Sequence, residues 1–441
     1  MGGELSMVDA EVLLWGSLVG VVSWDEKRDL GVFQYHPSFG SAGVEISPFM
    51  MPVRPEPYEF PTLRGDAFRG LPGLLADALP DRFGNRLIDI WLAETGRTLQ
   101  DFNPVNRLCY VGRRGVGALE FKPALSDESK ANPLDVAQLA DLANRILDER
   151  YQLGGILGKP DDAQQLKDIL RVGTSAGGAR AKAVLAWNPN TEEFRSGQVD
   201  VGEPFEHWLL KFDGVSNDRS GGLSGSQGFG QIEYAYHLMA REAGVEMMDC
   251  RLHHEGGRNH FMTRRFDRDA KGRKIHVQSL AALRHYDLND PRSYAYEQAM
   301  QTIRGLGLGM PALEEQFRRA VFNVVARNQD DHVKNISFLM DRTGAWRLSP
   351  AYDVIYAYNP SGLWTREHQM SMAGKRDGFG REDVFRFADS SGIKKRVATR
   401  ILDEVIDAAR NWPAFGSEAG LDKEAIERIG QTHRMDLAEK A

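Results

Sequence analysis

The hydrophobic period changes along this chain, and that change restricts what it can fold into. Near the start, apolar residues follow the short period of strands over Val12 to Leu18, Val21 to Trp24 and Leu30 to Tyr35. The charged run Asp25-Glu26-Lys27-Arg28-Asp29 reads as the turn between the last two. Late in the chain, Leu313, Phe317, Ala320, Val321 and Val324 fall on one face of a helix, with Glu314, Glu315, Arg318 and Arg319 on the other. A β-rich beginning and a mainly helical end point to an α+β protein. At 441 residues the chain also exceeds what one hydrophobic core supports, so two or three substructures are expected.

Between those ends the texture shifts several times. Leu74, Leu75, Ala78 and Leu79 recur at helical spacing, Pro80 interrupts, and Leu87, Ile88, Trp91 and Leu92 restart the period in a second helix. Strands are expected near Leu108 to Val111 and Ala118 to Phe121, joined by a turn at Gly112-Arg113-Arg114-Gly115. The polar stretch Asp127 to Pro133 has linker composition, and Leu134 to Leu147 forms an amphipathic helix. Strands follow at Ala183 to Trp187, Trp208 to Phe212 and Phe261 to Phe266, with a helix from Ile232 to Ala243 closed by Gly244. The Gly- and Ser-rich run from Gly221 to Gly230 reads as a loop. The expected parts are therefore residues 1–125, β-rich; 126–269, a small α+β lobe; and 270–441, mainly helical.

Composition removes several functional classes. A hydrophobic share of 42% with 27% charged residues suits a folded globular chain, and no stretch approaches the roughly 20 apolar residues of a membrane span. The N-terminus lacks the pattern of a secretory signal, so a cytoplasmic protein is expected. Cys109 and Cys250 are too few and too far apart for a disulfide framework, and with the isolated His253-His254 pair they make no zinc site. A net charge of −7 argues against a protein that coats nucleic acid, although a local basic face stays open.

Five residues in one order carry the chemistry. In His207-Trp208-Leu209-Leu210-Lys211-Phe212, alternation puts Lys211 on the face opposite Trp208, Leu210 and Phe212, where an ammonium on a rigid strand can meet triphosphate oxygens. Taken alone it reads as a solvent-facing lysine. Glu233 opens the next helix and can clamp such a lysine, or can simply favour the helix dipole. The octet Asn328-Gln329-Asp330-Asp331-His332-Val333-Lys334-Asn335 is a dense polar loop between a buried helix and the apolar run Ile336 to Met340. Asp330 can take the proton of an attacking hydroxyl, and Asn335 can bind a metal through its amide oxygen, a separation that protein-kinase catalytic loops use. By itself the octet also reads as a capping and turn segment. Asp353, after an expected hairpin through Asp341 to Gly344, would complete a Mg²⁺ site of hard oxygens. Upstream, Gly173-Thr174-Ser175-Ala176-Gly177-Gly178-Ala179-Arg180-Ala181-Lys182 offers glycines and two basic side chains to phosphate, though it is no Walker loop. A flexible hairpin is the competing reading.

Together these strings resemble the HipA family of bacterial toxin kinases over nearly the whole chain. Gly70-Leu71-Pro72-Gly73-Leu74-Leu75-Ala76-Asp77-Ala78-Leu79-Pro80-Asp81-Arg82-Phe83-Gly84 and Gly112 to Phe121 look like that family's N-terminal domain. The resemblance implies a two-lobed protein-kinase-like fold with an added β-rich domain, and a serine/threonine kinase using ATP and Mg²⁺. It implies catalysis by Asp330 with Lys211 and Glu233, and nucleotide binding by Lys211, Gly177, Gly178 and Lys182. A hinge at Phe266 and Asp267 would hold adenine, His332 would hold the loop, Asn335 and Asp353 would bind metal, and Ser175 would be autophosphorylated. It further implies a protein substrate such as an aminoacyl-tRNA synthetase, and a HipB-like antitoxin through which DNA is met. This chain departs from the family at Arg264, where an acidic hinge residue is expected, and in the residues before Lys182. Two rivals compete with this expectation: a catalytically silent scaffold that docks an antitoxin on DNA, and a small-molecule phosphotransferase.

Overall fold

A computed structural model describes residues 9–63, 65–94, 96–97, 102–125, 133–147, 168–170, 172–173, 180–198, 201–215, 228–290 and 292–438. The chain divides into two compact units. The first comprises Met1–Asn217, Arg264–Asp287 and Leu339–Ala345; the second comprises Asp218–Thr263, Leu288–Phe338 and Trp346–Ala441.

The first unit begins with strands β1 (Asp9–Leu14), β2 (Ser17–Asp25) and β3 (Leu30–Tyr35), joined later by β4 (Leu119–Lys122) in the antiparallel order β3-β2-β1-β4. The charged run between β2 and β3 is a turn because Asp25 accepts from the backbone N–H groups of Lys27 and Arg28. Val12, Val22 and Phe33 are fully buried on the side that period-two alternation assigns to the core, and Leu30, on the opposite face of β3, is buried as well.

One expected strand is a helix. Residues 104–111 form the helix Pro104–Val111, capped by Asn103, whose side chain accepts from Asn106 N, with Pro104 in the first turn. The apolar run Leu108 to Val111 is too short for its period to be diagnostic. The decisive signal is Asn103-Pro104, a cap followed by the residue that best tolerates the first helical position.

The string from Gly70 to Gly84 works as a clamp within this unit. A β-carbon at Gly73 would lie 2.3 Å from Ala282 O, so only glycine lets this turn press onto the helix Leu280–Arg284. Asp77 accepts from both the N–H and the hydroxyl of Ser279, the residue that caps that helix. Asp81 accepts from Gly84 N at 2.7 Å at the start of the helix Arg82–Glu94. Strands β5 (Lys182–Trp187), β6 (Phe194–Ser196) and β7 (Glu206–Lys211) complete the unit as an antiparallel set with β5 between the others.

The second unit is mainly helical. The helix Phe229–Glu242 follows Gly228, whose φ of 91° suits glycine, and packs so closely on the hairpin of β8 (Cys250–Glu255) and β9 (Arg258–Arg264) that a β-carbon at Gly230 would meet Asn259 O. Its Tyr236 is fully buried, donates to Ala326 O at 2.6 Å, and stands edge-on to Phe322 and Trp412. The helix Met310–Val325 buries Phe317 against Phe387 of the helix Arg381–Ser390, and Lys395–Arg410 lays Ile401, Leu402, Val405 and Ile406 into the same core. Among the described residues no helix is long and apolar enough to cross a membrane.

Candidate functional site

The helix Met310–Val325 ends at Ala326, and Arg327 takes a left-handed φ of 59°, turning the chain into the polar octet. Within the octet, consecutive carboxylates face opposite ways. The Asp331 side chain is 1% exposed; it accepts from Tyr296 Oη at 2.6 Å, from Gln369 N at 2.8 Å, and pairs with His368 Nδ1 at 2.7 Å. Burial alone would raise its pKa, yet His368 and these donors hold it below the usual carboxylate value, so it stays charged. Burial of the Tyr296 phenol, and then the same carboxylate, push its pKa well up. The Asp330 side chain, by contrast, is 49% exposed. It accepts from Gln369 Nε2 at 2.6 Å, with His332 Nε2 3.9 Å away.

Asn335 closes the loop: its Nδ2 donates to Asp330 O at 2.7 Å, and its N–H donates to His332 O. With the amide nitrogen committed, Oδ1 is the atom left for a hard cation. Asp353 follows Tyr352, whose hydroxyl donates to Lys334 O and meets the Ser337 hydroxyl, so Asp353 and Asn335 are each one residue from a shared bond. Asp353 itself has a φ of 54°, a left-handed conformation that Asp tolerates better than most side chains. An amide oxygen and a carboxylate suit Mg²⁺, which takes few protein ligands and completes its shell with water and phosphate. Consistent with so sparse a donor set, the described residues contain no cluster of three His, Cys, Asp or Glu side chains able to hold a metal.

The remaining expected residues are divided between the two units. Lys211 ends β7 in the first unit, half-buried, directly across from Lys182 in β5. Glu233 is 2% exposed on the helix Phe229–Glu242 of the second unit. The Lys182 ammonium is buried 3.2 Å from the buried Asp81 carboxylate, an internal ion pair. The pairing has a physical basis, since two lysines side by side on one sheet face repel, and Asp81 offsets one of them. The Asp267 carboxylate accepts from Arg265 at 2.6 Å, from Arg268 at 2.7 Å and from Gly117 N at 2.8 Å, and these guanidiniums depress its pKa despite full burial. Its carbonyl is also taken, by Ile275 N and by Arg268, while Phe266 beside it is half-buried. An adenine cannot use that side chain without breaking the cluster. Ser175, Gly177 and Gly178 lie outside the described residues.

Sequence reasoning missed Tyr296, Asp331, His368, Gln369 and Arg376 as parts of the site. Asp331 stands in the octet, where local spacing gives it no role. The others lie far from the octet in sequence and sit in no motif that local spacing reveals.

The architecture and the loop define an α+β protein of protein-kinase-like fold. The model of the HipA N-terminal domain matches residues 10–122 and that of the HipA-like C-terminal domain matches 174–412, so the chain belongs to the HipA family. A solved structure of the Shewanella oneidensis toxin-antitoxin system, HipA with HipB and its operator DNA, aligns over 97% of this chain and 96% of that one at a TM-score of 0.65 and 16% identity, a likeness of fold. A Haemophilus influenzae protein whose name reads "Putative kinase" is 24% identical over 237 residues, spanning 47% of this chain and 68% of that protein.

Proposed function

We propose that this protein is an ATP-dependent serine/threonine protein kinase. The observation that carries this is the octet, where the Asp331 carboxylate is buried as an anchor and the neighbouring Asp330 carboxylate is held half in solvent by the Gln369 amide nitrogen. Asp330 accepts the proton of a protein hydroxyl as that oxygen bonds to the γ-phosphorus and the bond to the ADP oxygen breaks. Lys211 binds phosphate, with Glu233 as its carboxylate partner. Asn335 and Asp353 hold Mg²⁺, which neutralises charge on the phosphates when bound. Adenine contact near Phe266 would fall to backbone and ring, since the Asp267 carboxylate is spent elsewhere.

Further parts of the function rest on family membership. Autophosphorylation at Ser175 would add about −1.5 to −2 charge to the Gly-rich loop and switch transfer off. The solved Shewanella complex supports a HipB-like antitoxin as partner and DNA contact through it. The substrate would be a protein of translation, such as an aminoacyl-tRNA synthetase. Intact mass after incubation with Mg²⁺ and ATP tests the core of this. One phosphate gained by the phosphatase-treated parent, and none by Asp330→Ala or Ser175→Ala, is the expected result. A parent that binds ATP and gains nothing would make the silent scaffold the better account.

A further inference from the structure

Asp330 is half exposed on a loop, a position from which a carboxylate can adopt several rotamers. Among the described residues, one side chain lies within hydrogen-bond reach of it: Gln369, whose Nε2 donates to Oδ1 at 2.6 Å. Gln369 is itself fixed at its backbone. Its N–H donates to Asp331 Oδ1 at 2.8 Å, and its carbonyl accepts from the Arg376 guanidinium. Asp331 is locked in turn by Tyr296 and His368; Asn323 Nδ2 donates to Tyr296 Oη at 3.0 Å, and His368 Nε2 faces Arg434 Nη1 at 3.2 Å.

We infer that Gln369 is the positioning residue of Asp330 and that buried Asp331 is the anchor that fixes Gln369, a role that presupposes the phosphotransfer proposed above. The two carboxylates then act as a pair through one glutamine, Asp331 on its backbone and Asp330 on its side chain. An amide suits this task because it orients a carboxylate without placing a cation against it. His332, 3.9 Å from the same oxygen, is too far to do so by a direct hydrogen bond. Aligned proton acceptors matter because a displacement of about 1 Å can cost on the order of 100-fold in rate.

The test compares the parent with Gln369→Met, which keeps the volume and removes the donor, and Gln369→Glu, which keeps the shape and sets carboxylate against carboxylate. The expected result for Gln369→Met is a kcat lower by about 10- to 100-fold with KM for ATP within about twofold of the parent. Gln369→Glu should fall at least as far. A kcat within about twofold of the parent in both variants, or a loss confined to KM, would overturn the role. Should the parent itself transfer no phosphate, the kinase proposal fails, and positioning is then read from crystal structures of the parent and Gln369→Met. An Asp330 carboxylate that leaves its place in the variant supports the role, and one that stays refutes it.

Discussion

Two short polar strings, Arg265-Phe266-Asp267-Arg268 and Asn328 to Asn335, look alike in sequence and are built on opposite plans. In the first, both guanidiniums and the carboxylate turn inward on one another, and the Asp267 side chain is 3% exposed. In the second, Asp331 is buried with three partners while its neighbour Asp330 faces solvent on one glutamine. A dense run of charges is therefore not enough to mark a reactive site. What distinguishes the second string is that its internal demands are met by one carboxylate, which leaves the other half exposed.

Substitution at the two aspartates should separate these plans most sharply. Asp330→Asn is expected to lower phosphate transfer by about 10²- to 10⁴-fold while leaving the melting temperature within error of the parent. Equal loss of stability would mean that Asp330 is a structural residue. Asp267→Ala should do the reverse, costing about 3–5 kcal/mol in urea unfolding because Arg265 and Arg268 lose their buried counter-charge. A cost under about 1 kcal/mol would show that the cluster is hydrated and open.

Buried polar groups should also govern acid sensitivity. His207, His237, His260, His276, His285 and His433 are each pushed down to about 4, chiefly by burial. As pH falls below about 6.5 the unfolded chain takes up these protons while the folded protein does not, so stability declines from there toward pH 4. The depressed Asp267 and Asp331 carboxylates add their loss only below about 3.8. Urea midpoints at pH 7, 6 and 5 measure this, and midpoints unchanged across that range would mean the histidines are accessible in the native state. The smallest effect is expected one step along from the Asp267 cluster. Arg273 pairs with Asp269 at 2.6 Å but is 60% exposed, so Arg273→Ala should cost no more than about 1 kcal/mol.

The candidate site was legible as far as local spacing reaches. Asp330 and Asn335 lie within one octet, and Lys211 stands on the alternating face that β7 displays. Lys182 and Asp267 illustrate where such reasoning stops. Each is a charged residue in a suggestive string, and each holds a partner distant in sequence: the Asp81 carboxylate for Lys182 and, beyond its neighbours Arg265 and Arg268, the Gly117 N–H for Asp267. Neither match has a period or motif to announce it.

What the sequence determined by itself is the order of textures: strands first, a helical end, and a polar octet delivered between a buried helix and a buried strand. Those follow from side-chain period and turn chemistry, which act over a few residues. Which carboxylate of the octet is anchored and which is offered was decided only by the tertiary structure. His368 and Gln369 must be folded back beside Asp331 before one aspartate can be buried at acceptable cost and the next held in place, because a buried charge is stable only where its partners are already assembled.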